Sequence, residues 1–329
     1  MENPDKVIIT GPIGLALRTA LRTDGSGPLT PGQPHLAGPM AADISGTAAS
    51  LSQTLLHLNM PTQLIAKVGA DPLGMLLHNL LEDAVPGMAN DLVVDPGTST
   101  AYQLAIQPAE GAPTLLSTNS ANDHFYASDL PRGALQGADL FLFCDPFGMR
   151  SIFRGEGGEL VSILNKARRA GMTTGLVLTD TAFNLQTEPM DWLSLLRGVD
   201  LLLADLDAFK RMLGLVDAAL NEADNLAARL NSTLTGLMAG GPKLALVYAA
   251  GRGLYLRTKE EPAWKKGGRA LARISPDWFG CDRWQTIEVP GEGDEVNSIT
   301  STLAGFIAGL LGFETPGTTL SMSIKMISF

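Results

Sequence analysis

The stretch Ile65-Ala-Lys-Val-Gly-Ala-Asp-Pro-Leu-Gly74 joins two segments that have apolar residues at helical spacing. Residues 47–58 form the first of these segments and residues 73–81 form the second. Between them, residues 62–68 have the apolar and β-branched character of a strand. The region therefore predicts a helix, a strand and a second helix, with the glycines and the proline of the quoted stretch in the last connection.

From residue 138 onward the sequence alternates regularly between strand and helix patterns. Strands are predicted at 139–144, 173–178, 199–203 and 244–248, and helices at 158–170, 190–197, 205–213 and 218–231. The glycine-rich run 154–158 predicts a turn before the first of these helices. Such alternation predicts a mostly parallel sheet covered by helices on both faces. Residues 14–45 and 92–108 are loop-rich and strand-rich without helices, which predicts a small β-lid.

Composition restricts the class of protein. The chain has 329 residues, of which 45% are hydrophobic and 18% charged, so global disorder is excluded. With only two cysteines, neither a disulfide framework nor a thiolate zinc cluster is expected, and a reducing cytoplasm fits. The first ten residues show no secretory signal pattern. Residues 296–313 are apolar, but their small polar residues indicate a buried helix and not a membrane span.

Charge restricts the class of partner. The formal net charge is −10, which disfavours binding to nucleic acid by long-range repulsion. One local run, Trp264-Lys-Lys-Gly-Gly-Arg269, is basic. It has two interpretations, a patch that binds phosphate or a solvated loop, and the sequence alone favours the solvated loop.

Several motifs connect the chain to a known family. The run Ile44-Ser-Gly-Thr-Ala-Ala-Ser-Leu-Ser-Gln-Thr-Leu-Leu-His-Leu58, followed by the quoted stretch 65–74, resembles the N-terminal signature of the PfkB/ribokinase family of carbohydrate kinases. Ser120-Ala-Asn122 with Asp129, the segment 200–214 and the segment 303–311 resemble later parts of the same family, in the same order. The resemblance covers nearly the whole chain without large gaps.

The resemblance implies both a fold and an activity. The implied fold is a single ribokinase-like domain over residues 1–329, a three-layer α/β sandwich with a mostly parallel central sheet and a small β-lid. The implied activity is phosphorylation of a sugar or nucleoside hydroxyl with ATP and magnesium. In the family, a loop that reads Asp-Thr-x-Gly-Ala-Gly-Asp holds the phosphoryl oxygens on glycine N–H groups and a helix N-terminus. Its last Asp accepts the proton of the attacking hydroxyl.

The sequence departs from the family at the positions of this loop. Counting back from Gly305 places Asn297, Ser298, Ile299 and Thr300 where Gly-Ala-Gly-Asp belongs. A threonine is not a general base near neutral pH, and an isoleucine does not adopt positive φ angles as glycine does. Losing a positioned base typically costs on the order of 10²–10⁴ in rate. In this register the catalytic and anion-binding groups are degenerate.

The substrate and metal positions differ as well. The family Asp that holds sugar hydroxyls falls near Ala16, the Gly-Gly pair becomes Ser45-Gly46, and the substrate-binding Asn becomes Ser50. The Asn-x-x-Glu segment that helps to order magnesium and phosphate becomes Asp205-Leu-Asp-Ala208. The resemblance adds Gly251 to the nucleotide- and anion-binding positions. Because the changes affect several sites, they favour the hypothesis that selection for phosphoryl transfer has been lost.

A second register keeps the catalytic base. Gly291-Glu-Gly-Asp294 spells Gly-x-Gly-Asp, and Ile287-Glu288 precedes it like the family's Val-Asp. In this register Asp294 is the base and the following helix has gained six residues at its start. The first register is preferred, since its match of residues 302–306 to the family has no gap. A third interpretation is that residues 291–293 form only a turn.

The sequence therefore predicts a weakly active or inactive relative of the carbohydrate kinases that keeps the fold and a small-molecule cleft. Two alternatives stay open: an active sugar or nucleoside kinase that uses Asp294, and a structural or regulatory binding subunit in which Ile299 fills the cleft. ATP and magnesium are expected from the resemblance only, and no metal ligand is singled out. A homodimer through the lid is expected because relatives often pair there.

Family members usually continue beyond the position of Phe329 with a helix and a loop that close over the adenine. A less complete nucleotide pocket is therefore expected. The sequence identifies neither the sugar nor a partner protein.

Overall fold

The computed structural model describes residues 6–22, 32, 34–108, 110–131, 133–179, 192–214, 225–287 and 295–326. Its strands are β1 (Val7–Thr10), β2 (Gly14–Ala20), β3 (Ala41–Ser45), β4 (Thr62–Ile65), β5 (Lys67–Gly69), β6 (Val93–Asp95), β7 (Tyr102–Gln107), β8 (Thr114–Thr118), β9 (Leu140–Cys144), β10 (Thr173–Leu178), β11 (Leu201–Asp205), β12 (Leu244–Ala249), β13 (Gly253–Thr258) and β14 (Asp282–Thr286).

Its α-helices are α1 (Thr47–His57), α2 (Pro72–Ala84), α3 (Arg150–Arg169), α4 (Trp192–Leu196), α5 (Leu206–Met212), α6 (Leu226–Met238), α7 (Glu261–Trp264), α8 (Gly268–Ala272), α9 (Glu295–Leu311) and α10 (Pro316–Lys325). Within the described ranges, none of these helices has the length and apolar character that crossing a membrane requires.

The central sheet contains eight strands of the described chain, in the order β14-β13-β12-β11-β10-β9-β1-β4. All neighbours from β4 to β12 are parallel, whereas β13 pairs antiparallel with both β12 and β14. Parallel neighbours need long crossover connections, which the helices between them supply. The mostly parallel sheet predicted from the strand–helix alternation is confirmed.

Helices cover both faces of this sheet, and each face has its own apolar core. Successive residues of β9 point to opposite faces, so Leu140 and Leu142 join one core and Phe141 and Phe143 join the other. The first core contains side chains of α1, α2, α8, α9 and α10, and the second contains side chains of α3, α4, α5 and α6. The predicted three-layer α/β sandwich is therefore confirmed.

A separate sheet of four strands has the order β3-β2-β7-β8. It takes strands from both segments in which a lid is predicted, residues 14–45 and 92–108, and it adds β8 from further along the chain. β6 does not join this sheet and pairs with β5 instead. The role of the four-stranded sheet as a lid over a substrate stays a prediction.

The structure corrects two helix boundaries. The helix predicted at 218–231 continues to Met238 as α6, and α3 starts earlier than predicted. α3 begins at Arg150, so the run 154–158, predicted as a turn, lies inside a helix. A glycine in a helix costs only about 1 kcal/mol relative to alanine. On either side of the run, Ile152 and Leu160 are both buried in the second core. Burial of these two side chains on one helix outweighs the local preference for a turn.

The stretch from residue 65 to residue 74 contains the start of α2, which the carboxylate of one residue holds in place. Asp71 precedes α2 and accepts hydrogen bonds from the N–H of Gly74 (2.7 Å), the N–H of Thr100 (2.8 Å) and the hydroxyl of Thr100 (2.7 Å). Pro72 occupies the first turn of α2, where a backbone N–H has no partner within the helix. Its lack of an N–H therefore costs no helix hydrogen bond. A Cβ at Gly74 would lie 2.4 Å from the Gly69 carbonyl oxygen. Asp71 and Gly74 of this stretch therefore have a structural role at the start of α2.

Lys67 connects β5 to two other segments from inside the protein. Its side chain is 7% exposed, and its ammonium group lies 2.8 Å from the Asp129 carboxylate and 3.6 Å from that of Asp95. The ammonium also donates to the carbonyl of His124 at 2.6 Å. Because the charge is hardly exposed, these partners replace the water that it loses on folding.

Replacing Lys67 with methionine should lower the free energy of unfolding by about 3–5 kcal/mol, because it leaves buried carboxylate charge without its partner. Lys265→Met is the matched control. Lys265 pairs with Glu261 at the surface, where both side chains are more than half exposed, so its loss should cost about 0–1 kcal/mol. Urea unfolding followed by circular dichroism measures both values, and equal small losses in the two variants would contradict this role of Lys67.

Candidate functional site

The carboxyl ends of the parallel strands meet at one edge of the central sheet, here named the carboxyl edge. Gly11, Asp145 and Thr179 directly follow β1, β9 and β10, and Asp205 is the last residue of β11. Open α/β sheets bind their ligands in the crevice outside this edge. The candidate functional site is therefore built from these residues and from the helices that begin beside them.

Gly46 brings the start of α1 close to the chain that follows β1. Its φ is +110°, and a Cβ there would lie 2.3 Å from the carbonyl oxygen of Pro12. Any other residue would clash with this backbone and would strain its own. The glycine that the resemblance assigns to substrate binding thus has a steric role, which places Thr47 against the carboxyl edge.

Asp145 is the centre of a buried polar cluster at this edge. Its carboxylate accepts the N–H of Thr179 at 2.7 Å and the Thr179 hydroxyl at 3.0–3.1 Å. The hydroxyl of Thr47 lies 2.7 Å from that of Thr179 and also hydrogen-bonds the carboxylate. All three side chains are buried. The cluster therefore joins the end of β9, the end of β10 and the start of α1.

Burial raises the pKa of Asp145 to about 7, from an ordinary value of 3.8. Hydrogen bonds from Thr47 and Thr179 favour the ionised form and oppose this rise, whereas the negative charge of Asp205 adds to it. Desolvation prevails because the carboxyl group has no exposed surface. Asp145 therefore changes its charge near neutral pH, unlike an ordinary carboxylic acid.

α9 contains the positions that the first register assigns to the phosphate-binding loop. Asn297 and Ser298 lie in its first turn, with side chains outside the described residues. Ile299 is 6% exposed and belongs to the first core, and Thr300 is 3% exposed. In an α-helix that begins at Glu295, the N–H groups of Ile299 and Thr300 donate to carbonyls one turn earlier. They are therefore not available to an anion.

Asp294 and the rest of Gly291-Glu-Gly-Asp294 lie outside the described residues. α9 begins at the next residue, Glu295. Its first described residue therefore lies before the positions that the first register assigns to the loop. It is five residues before Thr300, a larger distance than the usual uncertainty of a helix end.

The remaining predicted substrate and nucleotide positions have local roles. Ser50 lies on α1 and donates its hydroxyl to the carbonyl of Gly46 at 3.4 Å. Ala16 lies in β2, between Asp43 of β3 and Gln103 of β7, and its methyl group offers no hydrogen bond. Gly251, at φ +65°, occupies the exposed turn between β12 and β13.

The described residues do not fit the magnesium site that the resemblance implies. The carboxylate of Asp205 accepts the N–H of Ala208 at 2.6 Å and so caps α5. Ala208, at the family's Glu position, has no oxygen in its side chain. In the described part of the chain, no three His, Cys, Asp or Glu side chains converge on a place for a metal ion.

The residues that meet at the carboxyl edge, Thr47, Asp145 and Thr179, are not among those predicted from the sequence. The signal for two of them was present, since Asp145 and Thr179 each follow directly after an apolar strand of a parallel sheet. The sequence did not indicate that Thr47, more than 90 residues earlier, would hydrogen-bond the same carboxylate.

Comparison with known proteins gives a consistent answer at the level of the fold. No family model matches the sequence, and no curated protein sequence is significantly similar to it. The structure is similar to that of Arabidopsis thaliana ribokinase complexed with ribose and ATP, with a TM-score of 0.70, 13% identity, and coverage of 99% of this chain and 100% of that one. The chain has the ribokinase-like fold.

Two further carbohydrate-kinase structures agree. A fructokinase with bound ATP from Xylella fastidiosa has a TM-score of 0.65 at 14% identity, over 98% of this chain and 90% of that one. A PfkB protein from a Polaromonas species has a TM-score of 0.64 at 14% identity, over 99% of this chain and 95% of that one. The ribokinase-like fold expected from the sequence motifs is thus confirmed, while identities this low leave activity and substrate as proposals.

Replacing Asp145 with asparagine removes a titrating group from the carboxyl edge. The pKa of Asp145 is about 7 in the folded protein and close to its ordinary value of 3.8 in the unfolded chain. Between these values only the unfolded chain releases the proton, so the aspartate protein loses stability as pH rises from about 4 to about 7. Relative to the wild type, Asp145→Asn should therefore gain on the order of 4 kcal/mol over that range.

Urea unfolding at intervals between pH 4 and pH 8 measures this difference. Asp43→Asn is the control for loss of a carboxylate elsewhere, since Asp43 is exposed and stands outside the cluster. If the difference between Asp145→Asn and the wild type were constant over the range, the buried titration would be ruled out.

Proposed function

We propose that this chain is a weakly active or inactive relative of the PfkB-type carbohydrate kinases. It keeps their fold, but in the first register it lacks their phosphoryl-transfer loop. One observation carries the proposal: α9 continues unbroken through Ile299 and Thr300, and both side chains are buried. A backbone N–H that is bonded within a helix does not also hold a phosphoryl oxygen. A buried threonine does not replace an exposed aspartate as general base.

The other chemical positions support the same proposal. Ser50 and Asp205 use their side chains on backbone groups of their own helices, and Ala16 and Ala208 carry only methyl groups. Each of these positions would have to bind sugar, magnesium or phosphate in a kinase of this family. In this chain they support local structure instead.

The ligand classes come from similarity alone. The Arabidopsis protein is complexed with ribose and ATP, and the Xylella fructokinase has bound ATP. A sugar or nucleoside is accordingly the small-molecule class that we propose for the cleft, with ATP as the nucleotide. A homodimer through the four-stranded sheet belongs to the same proposal, supported by Leu115 and Leu116 of β8, which are 56% and 52% exposed.

A second candidate is an active kinase that uses Asp294. The sequence Gly291-Glu-Gly-Asp294 favours it, because it has the Gly-x-Gly-Asp pattern of the family's loop. A third candidate is a binding subunit with a filled cleft, which the burial of Ile299 in the first core favours. A single pair of variants separates the second candidate from the other two.

Phosphoryl transfer from ATP with magnesium should be measured over a panel of sugars and nucleosides for the wild type, Asp294→Asn and Asp83→Asn. Asp83 is an exposed residue of α2 and serves as the control. We expect all three proteins to react at the same low rate, because none has a working base. A loss on the order of 10²–10⁴ in Asp294→Asn, with Asp83→Asn unaffected, would overturn the proposal and establish Asp294 as the base.

Thermal unfolding with increasing ATP and magnesium separates binding from chemistry. A ligand that binds only the folded state raises the melting temperature by mass action. A rise without turnover would agree with a protein that binds nucleotide but does not transfer phosphate, and the absence of a rise would favour the filled cleft.

A further inference from the structure

A cavity of about 280 Å³ lies at the edge of the central sheet opposite the carboxyl edge, here named the amino edge. Two of its lining residues, Met172 and Asp200, directly precede β10 and β11. The six residues of β10 span about 20 Å at 3.3 Å per residue. The cavity is therefore well separated from the site at Asp145. Binding of a ligand in the cavity does not depend on the function proposed for that site.

Three cationic side chains from two parts of the chain line this cavity. Arg168 and Arg169 come from the last turn of α3, and Lys266 comes from the basic run 264–269. Asn165, one turn earlier on α3, adds an amide group. Guanidinium and ammonium groups with a nearby amide donor are the side chains that proteins use to hold phosphate oxygens.

The basic run is held firmly against the amino edge. The carbonyl of Gly267 accepts the hydroxyl of Thr173 at 2.6 Å, and the N–H of Arg269 donates to the carbonyl of Gly171 at 2.9 Å. Gly268, at φ +76°, has no room for a Cβ, which would lie 2.4 Å from the Thr173 nitrogen. The sequence alone favoured a solvated loop here. The structure instead shows a docked segment that places Lys266 in the cavity wall.

The carboxylate in the cavity is already neutralised. Asp200 is 2% exposed; one of its oxygens pairs with the ammonium of Lys243, and the other accepts the N–H and hydroxyl of Thr174. Its negative charge is therefore balanced before any ligand arrives. The three lining cations are then in excess, on a protein whose formal net charge is −10.

These cations have few partners of their own. Within the described residues, the side chains of Arg169 and Lys266 have no hydrogen bond or ion pair, and Arg168 donates at 3.4 Å to the carbonyl of Arg197. Cations at the end of α3 do complement the helix dipole, which accounts for Arg168 and Arg169 in part. The dipole does not account for Lys266, which comes from another element and lines the same cavity.

We propose that this cavity binds the phosphate group of a small soluble molecule, either a monophosphate or a diphosphate ester. Small-molecule sites usually measure about 300–1,000 Å³, so a cavity of about 280 Å³ suits a phosphorylated sugar-sized compound better than a whole nucleotide. Arg168 and Arg169 bind the phosphate oxygens with their planar donors, and Lys266 supplies a third positive charge from the basic run.

Isothermal titration with pyrophosphate and with inorganic phosphate, at low ionic strength, tests this site. The variants are Arg169→Gln, Lys266→Gln and their combination, and Lys265→Gln is the matched control. Lys265 is the neighbouring exposed residue of the same run; it pairs with Glu261 and does not line the cavity. Each single cavity variant should weaken pyrophosphate binding by about tenfold, the effect of losing one charge-assisted contact, and the combination by about 100-fold, while the control should retain the wild-type affinity.

Two results would overturn the proposal. One is the absence of saturable binding to the wild type. The other is an equal loss of affinity in Lys265→Gln and Lys266→Gln, which would indicate diffuse attraction by the basic run. The melting temperature of each variant without ligand confirms that it is folded. Sedimentation with phosphatidylcholine vesicles that contain phosphatidylinositol 4-phosphate should leave the protein in solution, and pelleting would contradict a soluble ligand.

Discussion

The backbone hydrogen bonding of α9 limits what the carboxyl edge can do. A backbone N–H donates either to a helix carbonyl or to a ligand, and in α9 the N–H groups of Ile299 and Thr300 belong to the helix. Their side chains are buried, and Ile299 packs in the same core as α1. Opening a phosphate-binding loop at these positions would therefore break helix hydrogen bonds and expose part of that core.

The other polar groups at this edge follow the same principle. Asp145 binds Thr179 and Thr47, Asp205 caps α5, and the hydroxyl of Ser50 returns to its own helix. Each of these groups has a polar partner inside the protein. The amino edge differs, since Arg169 and Lys266 have no such partners in the described chain. These two unpaired charges of the described chain therefore lie away from the edge where the family carries out its chemistry.

The fold was predictable from sequence because its signals are local and repeated. Strand patterns such as Leu140–Cys144 and Thr173–Leu178, separated by helical patterns, indicate a parallel sheet covered on both faces. The site was less predictable because hydrogen bonds between distant residues decide it. Thr47 and Thr179 are 132 positions apart, and no local pattern records that they meet. The sequence left two registers open for the start of α9, since its apolar spacing permits a start at either position.

The most direct test of this account is amide hydrogen exchange at residues 295–303, measured by nuclear magnetic resonance with and without ATP and magnesium. The account predicts slow exchange at Ile299 and Thr300, as in the middle of a helix, and no change in their resonances when nucleotide is added. Fast exchange at these two amides in the free protein, followed by protection or shifted resonances on addition of ATP, would contradict it and would show an anion-binding loop in place of this part of α9.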